Sequence, residues 1–249
     1  MKLSATHITA VLAVFGFLSS SVRGKELDIA VGWTKPPYVI ANDNTGFELE
    51  LVSAVMEKLG HHIIPIYVPF GRSATMLTQG QVDMALTVNH RQVGDPELLS
   101  DVYIVYQNVA ISLKSKRLAL ETIADLSKYA VVAFQNATIV LGEEYQQTVN
   151  KSRLYTELPE QKRQTEMLLL GNAEVAVMDV NIFIHFSREL AGISQLDKAD
   201  IHPIFPPSPY HLGFNDAQLK QQFNLAFAQF ILTQEYSDLV NKYEFYQSK

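Results

Sequence analysis

A few side chains stand where the chain could meet a charged small molecule. Asp179 ends the apolar run Val175-Ala176-Val177-Met178, and a helix-like stretch starts at Val180. A carboxylate there either faces a ligand or accepts the first amides of that helix as its cap. Thr138 and the backbone amides of Ala137 and Thr138 open another helix-like stretch, where an anion is well received; the plain alternative is a cap made by Asn136. Arg91 and Arg72 each carry a planar guanidinium that can grip a carboxylate with two hydrogen bonds, against the plain alternative of a solvated arginine. Trp33, Tyr38 and Phe70 follow strand ends and can stack on a ligand or a cationic head group, or pack in the core.

These residue types hold and orient a molecule; they do not make an obvious catalyst. The sequence offers no Ser/His/Asp set, no phosphate loop and no metal spacing, so no catalytic residue, cofactor or metal is assigned. His61-His62 is the nearest approach to a metal pair, but no third ligand converges on it in sequence. The chain has no cysteine, which excludes disulfides and thiolate metal sites.

The elements that must position these groups alternate along the chain. Strand-like runs at 27–32, 63–68 and 82–88 enclose helical patterns at 47–59 and 71–79. Phe47, Leu51, Val52, Val55, Met56 and Leu59 fall on one face, with Glu48 and Glu50 in the first turn, where carboxylates suit the helix dipole. A βαβαβ order demands a largely parallel sheet. The pattern returns with strands at 130–134 and 174–178 and helices at 138–149 and 161–170. Gly80, Asp83 and Ala85 match Gly171, Glu174 and Ala176 at a constant offset of 91, as two similarly built lobes would give. Extended segments at 106–114 and 201–213 serve as crossings, and the proline-rich second one is held extended by Pro203, Pro206, Pro207 and Pro209. Residues 215–246 read as two helices packing back on the first lobe. The expected division is a signal peptide at 1–24, lobe 1 at 25–112 and 206–249, and lobe 2 at 113–205.

The N-terminal run and the charge balance bear on export and on the partners that are excluded. The apolar run Ile8–Leu18 after Lys2, followed by small residues to Gly24, reads as a secretory signal peptide and is too short to span a membrane. Without it, 18 basic residues face 26 acidic ones, a net charge of −8 that speaks against nucleic acid and anionic membrane as partners.

Read together, these segments resemble the family 3 extracellular solute-binding proteins of bacterial ABC importers. Gly46-Phe47-Glu48-Leu49-Glu50-Leu51, with Val55 and Leu59, resembles that family's signature around its first helix, although Met56 stands where a smaller residue is usual. The span from Phe70 to Asp83 keeps the family's spacing, and Ser100-Asp101-Val102-Tyr103 resembles its Phe-Ser-Asp-Pro-Tyr segment without the Phe and Pro. Leu120 to Leu126 resembles its Ser-Leu-Glu-Asp-Leu turn, Gln135-Asn136-Ala137-Thr138 sits where Gly-Thr-Thr opens a helix, and Val177-Met178-Asp179 resembles its strand end. The resemblance implies an α/β, two-lobed periplasmic binding protein fold of type II, with mostly parallel sheets and two hinge crossings. It implies an amino acid or related small polar ligand in the interlobe cleft, a periplasmic monomer, and an ABC permease as partner. Within the cleft it implies Asp179 for the ligand ammonium, Thr138 and the nearby amides beside the carboxylate, and Arg91 as carboxylate clamp. The stretch from Asp83 to Arg91 is shorter than the family's, so that Thr87 is displaced and Val88 replaces a second threonine. Two other roles are open on the same scaffold: a dehydratase acting on cyclohexadienyl acids, and a ligand-sensing partner of a membrane receptor.

Overall fold

Buried apolar runs set the strands, and their hydrogen bonds sort them into two sheets. The computed structural model describes residues 24–33, 35–69 and 71–246. Residues 1–23, which carry the signal-peptide reading of 1–24 but for Gly24, and Phe70 lie outside the described residues. The strands are β1 (Glu26–Gly32), β2 (His62–Val68), β3 (Met84–Val88), β4 (Leu99–Tyr106), β5 (Asn108–Leu113), β6 (Ala130–Phe134), β7 (Leu154–Leu158), β8 (Val175–Asp179), β9 (Ala199–His202) and β10 (Ser208–Phe214). The helices are α1 (Phe47–Lys58), α2 (Arg72–Thr78), α3 (His90–Val93), α4 (Ala137–Val140), α5 (Glu143–Val149), α6 (Gln161–Leu169), α7 (Val180–Ala191), α8 (Ala217–Phe230) and α9 (Gln234–Tyr243).

Both sheets follow one plan. The orders are β2-β1-β3-β10-β4 and β7-β6-β8-β5-β9. In each, a parallel trio meets an antiparallel strand that arrives by a crossing: β10 against β3 and β4, and β5 against β8 and β9. The offset of 91 has a physical basis in this plan. Gly80 and Gly171 both end a helical stretch at positive φ, 66° and 76°. Asp83 then accepts the Asp28 amide at 3.0 Å, and Glu174 accepts the Ala130 amide at 2.8 Å. In each half, the acidic residue ties its own strand entry to the first strand of the trio.

The crossings are short. Gln107 alone links β4 to β5, and residues 203–207 link β9 to β10. Strand β5, of which residues 108–112 were grouped with the first lobe from sequence, pairs in the second sheet instead. The apolar run through 106–114 is extended on both sides of Gln107, so hydropathy carries no mark of the change of sheet. Two further differences are local. The single helix expected over 138–149 is two, because Gly142 at φ 92° interrupts it. Strand β7 was not anticipated, and its half-buried residues pair with β6 along one edge.

Apolar side chains cover both faces of each sheet, as parallel strands require. In β6, Val131 and Ala133 pack with Tyr145 and Phe205, while Val132 packs toward Leu168 and Phe183. On the first sheet, Ile29, Val31 and Phe214 join Leu51 and Val55 of α1 and Phe223 of α8 in an apolar core that continues through Tyr38, Tyr106 and Val109 into the second. No helix among the described residues is long and apolar enough to cross a membrane.

Candidate ligand cleft

Strands β1, β3 and β8 end at the seam between the sheets, where ligands bind in open α/β sheets. A cavity of about 100 Å³ lies there, lined from the first sheet by Gly32, Lys35, Thr87 and Tyr106, and from the second by Phe134, Asp179 and Ile182. It shares Gly32, Lys35, Phe134 and Gln161 with a wider cavity of about 400 Å³ that Trp33 also lines. It shares Val140 and Tyr210 with a cavity of about 350 Å³ that Arg91 and His211 also line. A larger cavity of about 660 Å³ lies away from these strand ends, between the C-terminal turns of α6 and α7, with Lys114, Glu166, Asp197 and Lys198 among its lining residues.

The first-sheet wall begins with the loop after β1. The amides of Phe47 and Glu48, in the first turn of α1, donate to the carbonyls of Pro37 and Tyr38 at 2.9 and 3.0 Å. The loop thus satisfies amides that a helix start leaves open. It also fixes Lys35 and Tyr38 relative to Glu48. Glu48 is fully buried. It accepts hydrogen bonds from Tyr106 at 2.6 Å, from Thr87 Oγ1 at 2.5 Å, and from the Tyr103 hydroxyl. Lys35 Nζ lies 3.6 Å from Glu48, donates to Thr87 Oγ1 at 2.8 Å, and sits 4.9 Å above the Tyr106 ring. Burial lowers the Lys35 pKa, and Glu48 opposes the shift. Burial, reinforced by Glu48, drives Tyr103 and Tyr106 well above the ordinary tyrosine value. Thr87 holds this network at φ 54°, a left-handed backbone that costs a β-branched residue on the order of 1–3 kcal/mol.

Asp179 anchors the second-sheet wall. Its Oδ1 accepts the amides of Asn181 and Ile182, at 2.8 and 3.2 Å, and so caps α7. The same oxygen takes the Tyr38 hydroxyl from the other lobe at 3.0 Å, and Oδ2 takes the Gln107 amide of the crossing at 2.8 Å. The cap and the cleft wall are one residue. Burial raises the Asp179 pKa to about 6 against these four donors.

The remaining sequence candidates are scattered over the molecule. Thr87 lines the central cavity, and Trp33, 63% exposed, lines the wider one. Tyr38 is buried at the hinge, stacked on Tyr106 with ring centroids 3.8 Å apart. Arg91 lines the neighbouring cavity rather than the central one, and Arg72 is solvent-exposed at the start of α2. Ala137 is buried. Thr138 is already engaged: its amide and hydroxyl both donate to Glu157 at 3.0 Å, and the Asn136 amide donates to the same carboxylate at 2.7 Å. Burial would raise Glu157, but these donors and Tyr155 outweigh it and hold its pKa below the usual range. The anion expected at this helix start is therefore a side chain of the protein itself.

Lys35, Glu48 and Glu157 were missed from sequence. Glu48 left a signal: it lies three and four residues before Leu51 and Val52, in line with the apolar face of α1. Lys35 was read only as part of a proline-rich turn. No group of three or more His, Asp or Glu side chains among the described residues is arranged to hold a metal ion.

The sequence matches the bacterial extracellular solute-binding proteins, family 3, over residues 27–246. The chain belongs to that family. Solved structures with the same two-lobed fold include an ancestral arginine-binding protein bound to arginine, with 18% identity, TM-score 0.68, and 89% of this chain and 98% of that one covered. Another is the GluR0 ligand-binding core in complex with L-glutamate, with 15% identity, TM-score 0.69, and 90% and 99% covered. A third is an ABC uptake transporter substrate-binding protein from Streptococcus pneumoniae with bound histidine, with 16% identity, TM-score 0.67, and 88% and 92% covered. At such identities the likeness is one of fold. No curated protein matches the sequence significantly.

Proposed function

We propose that this family 3 protein captures a small polar molecule, an amino acid or a relative of one, in the cleft between its sheets and releases it unchanged. The observation that carries this reading is the convergence of Lys35 and Thr87 from one sheet with Asp179 from the other on a single cavity. Charged and hydroxyl groups at strand ends, backed by aromatic rings, suit recognition of a small charged molecule. Family membership supports the same reading, and supports export to the periplasm and delivery to an ABC permease as its setting. The two lobes of this reading are residues 25–106 with 208–249, and residues 108–202, joined by the two crossings.

Binding without turnover separates this role from the dehydratase alternative. Ligand released from gently purified, then denatured, protein is identified by mass spectrometry. The same compound is then titrated back by calorimetry and recovered afterwards. Saturable 1:1 binding with intact recovery is expected; a converted product, or no bound or bindable compound, contradicts the proposal.

A further inference from the structure

We propose that the cleft selects a small organic amine that lacks a carboxylate, rather than a free α-amino acid. This inference rests on the cleft reading above and narrows its ligand class.

A carboxylate taken into the cleft is best held by an unspent cation, since a buried charge without an opposite charge is strongly disfavoured. Gly71 and Ser73, at the start of α2, line the cavity without bringing one, and the helix start at α4 already faces an anion. Its Asn136 and Thr138 amides and the Thr138 hydroxyl already hold Glu157, whose charge repels a second anion. Lys35 is the cation among the residues lining the central cavity, and it is matched by the fully buried Glu48. Arg91 lines the adjoining cavity and Arg72 is exposed at the start of α2.

The same wall favours a cation. Lys35, Glu48 and Asp179 together carry a formal charge of −1. Asp179 lines the cavity, and its Oδ2, which takes the Gln107 amide, retains acceptor capacity for an ammonium hydrogen. Tyr210 and Phe134 line the same space and bring aromatic surface to a cationic head; the Tyr106 ring is already taken by Tyr38 and Lys35.

Matched pairs that differ by the carboxylate alone decide the matter: arginine with agmatine, ornithine with putrescine, and phenylalanine with phenethylamine. Each is titrated against the wild-type protein by calorimetry, with thermal shift as a second readout. At least one amine is expected to bind about a hundredfold more tightly than its amino acid. Asp179→Asn, which keeps a residue able to cap α7, is expected to lose most of that amine affinity while still folding, as judged by circular dichroism. Tighter binding of an amino acid than of its amine, or an Asp179→Asn variant that binds the amine as the wild type does, overturns the inference and leaves the cleft reading standing. Failure of every compound to bind, when mass spectrometry also finds no released ligand, overturns both.

Discussion

The charges in the cleft work as paired groups, and each pair has a measurable consequence. Glu48 is fully buried and faces Lys35 with two tyrosine hydroxyls and a threonine around it. Replacing Glu48 by Gln leaves the Lys35 ammonium buried without its counter-charge. Losing one partner of a buried pair costs about 3–5 kcal/mol, so the midpoint of urea unfolding falls sharply. Adding Lys35→Met removes the orphaned charge, and the double variant recovers most of the loss; a double variant no more stable than Glu48→Gln contradicts the pairing. Asp179 supplies a pH effect. Burial raises its pKa from 3.8 to about 6 in the folded protein. Its contribution to stability is therefore fully present below the unfolded value and lost as pH rises through about 6. A bound amine reverses the preference, because it favours the ionised carboxylate. Amine affinity thus falls about tenfold for each pH unit below that value. Tyr38, Tyr210 and Lys35 are the titratable groups facing Asp179, and both tyrosines are pushed up, Tyr210 to about 12, out of this window. Calorimetry at pH values on either side of the Asp179 pKa checks this, and a flat profile contradicts it.

At the scale of elements, the loop after β1 decides where Lys35 and Tyr38 sit, and Gly46 makes room for it. A Cβ at Gly46 would lie 2.4 Å from the Tyr38 carbonyl oxygen and 2.7 Å from the Val39 Cα, at φ +119°. Both neighbours are backbone and cannot swing aside. Gly46→Ala is expected to destabilise the protein by about 2–3 kcal/mol and to lower ligand affinity together with stability, since the displaced loop carries Lys35 and Tyr38. Equal affinity for wild type and variant would separate the loop from the site. The sequence showed this element as a proline-rich turn before a helix, but not its contents. Periodicity reports which face of α1 is buried; it does not report that a carboxylate on that face is matched by a lysine thirteen residues earlier. The ends of β1, β3 and β8 were legible because buried parallel strands read as unbroken apolar runs. The engagement of Thr138 by Glu157 was not legible, because it depends on β7 lying beside β6, and β7 carries no strand signal of its own.

For the whole molecule, the offset of 91 foretold two halves of one plan, but the link between them is richer than two crossings. Tyr38 of the first lobe binds Asp179 of the second, and Asn181 Nδ2 donates to the Tyr38 hydroxyl at 3.0 Å. The chain end then returns: the Tyr246 amide donates to Asn181 at 2.7 Å, Arg188 pairs with Glu244, and Phe245 packs on both Tyr38 and Phe47. These contacts tie one lobe to the other beside the crossings, and Trp33 lines a cavity between the sheets. Trp33 is the single tryptophan of the protein, is 63% exposed, and lines a cavity whose opposite wall is Phe134 and Gln161 of the second lobe. The molecule thus carries one native reporter at the place where closure brings the lobes together. Ligand that draws the lobes closer removes water from the indole, so the emission maximum moves to shorter wavelength in step with calorimetric saturation. Trp33→Phe abolishes the signal while leaving thermal stabilisation by ligand in place, if the ring reports closure rather than gripping the ligand. A variant that loses both makes Trp33 part of the binding surface. An emission maximum that does not move on saturation, with binding intact, means that the cavity at Trp33 keeps its shape and that closure is confined to the central cavity.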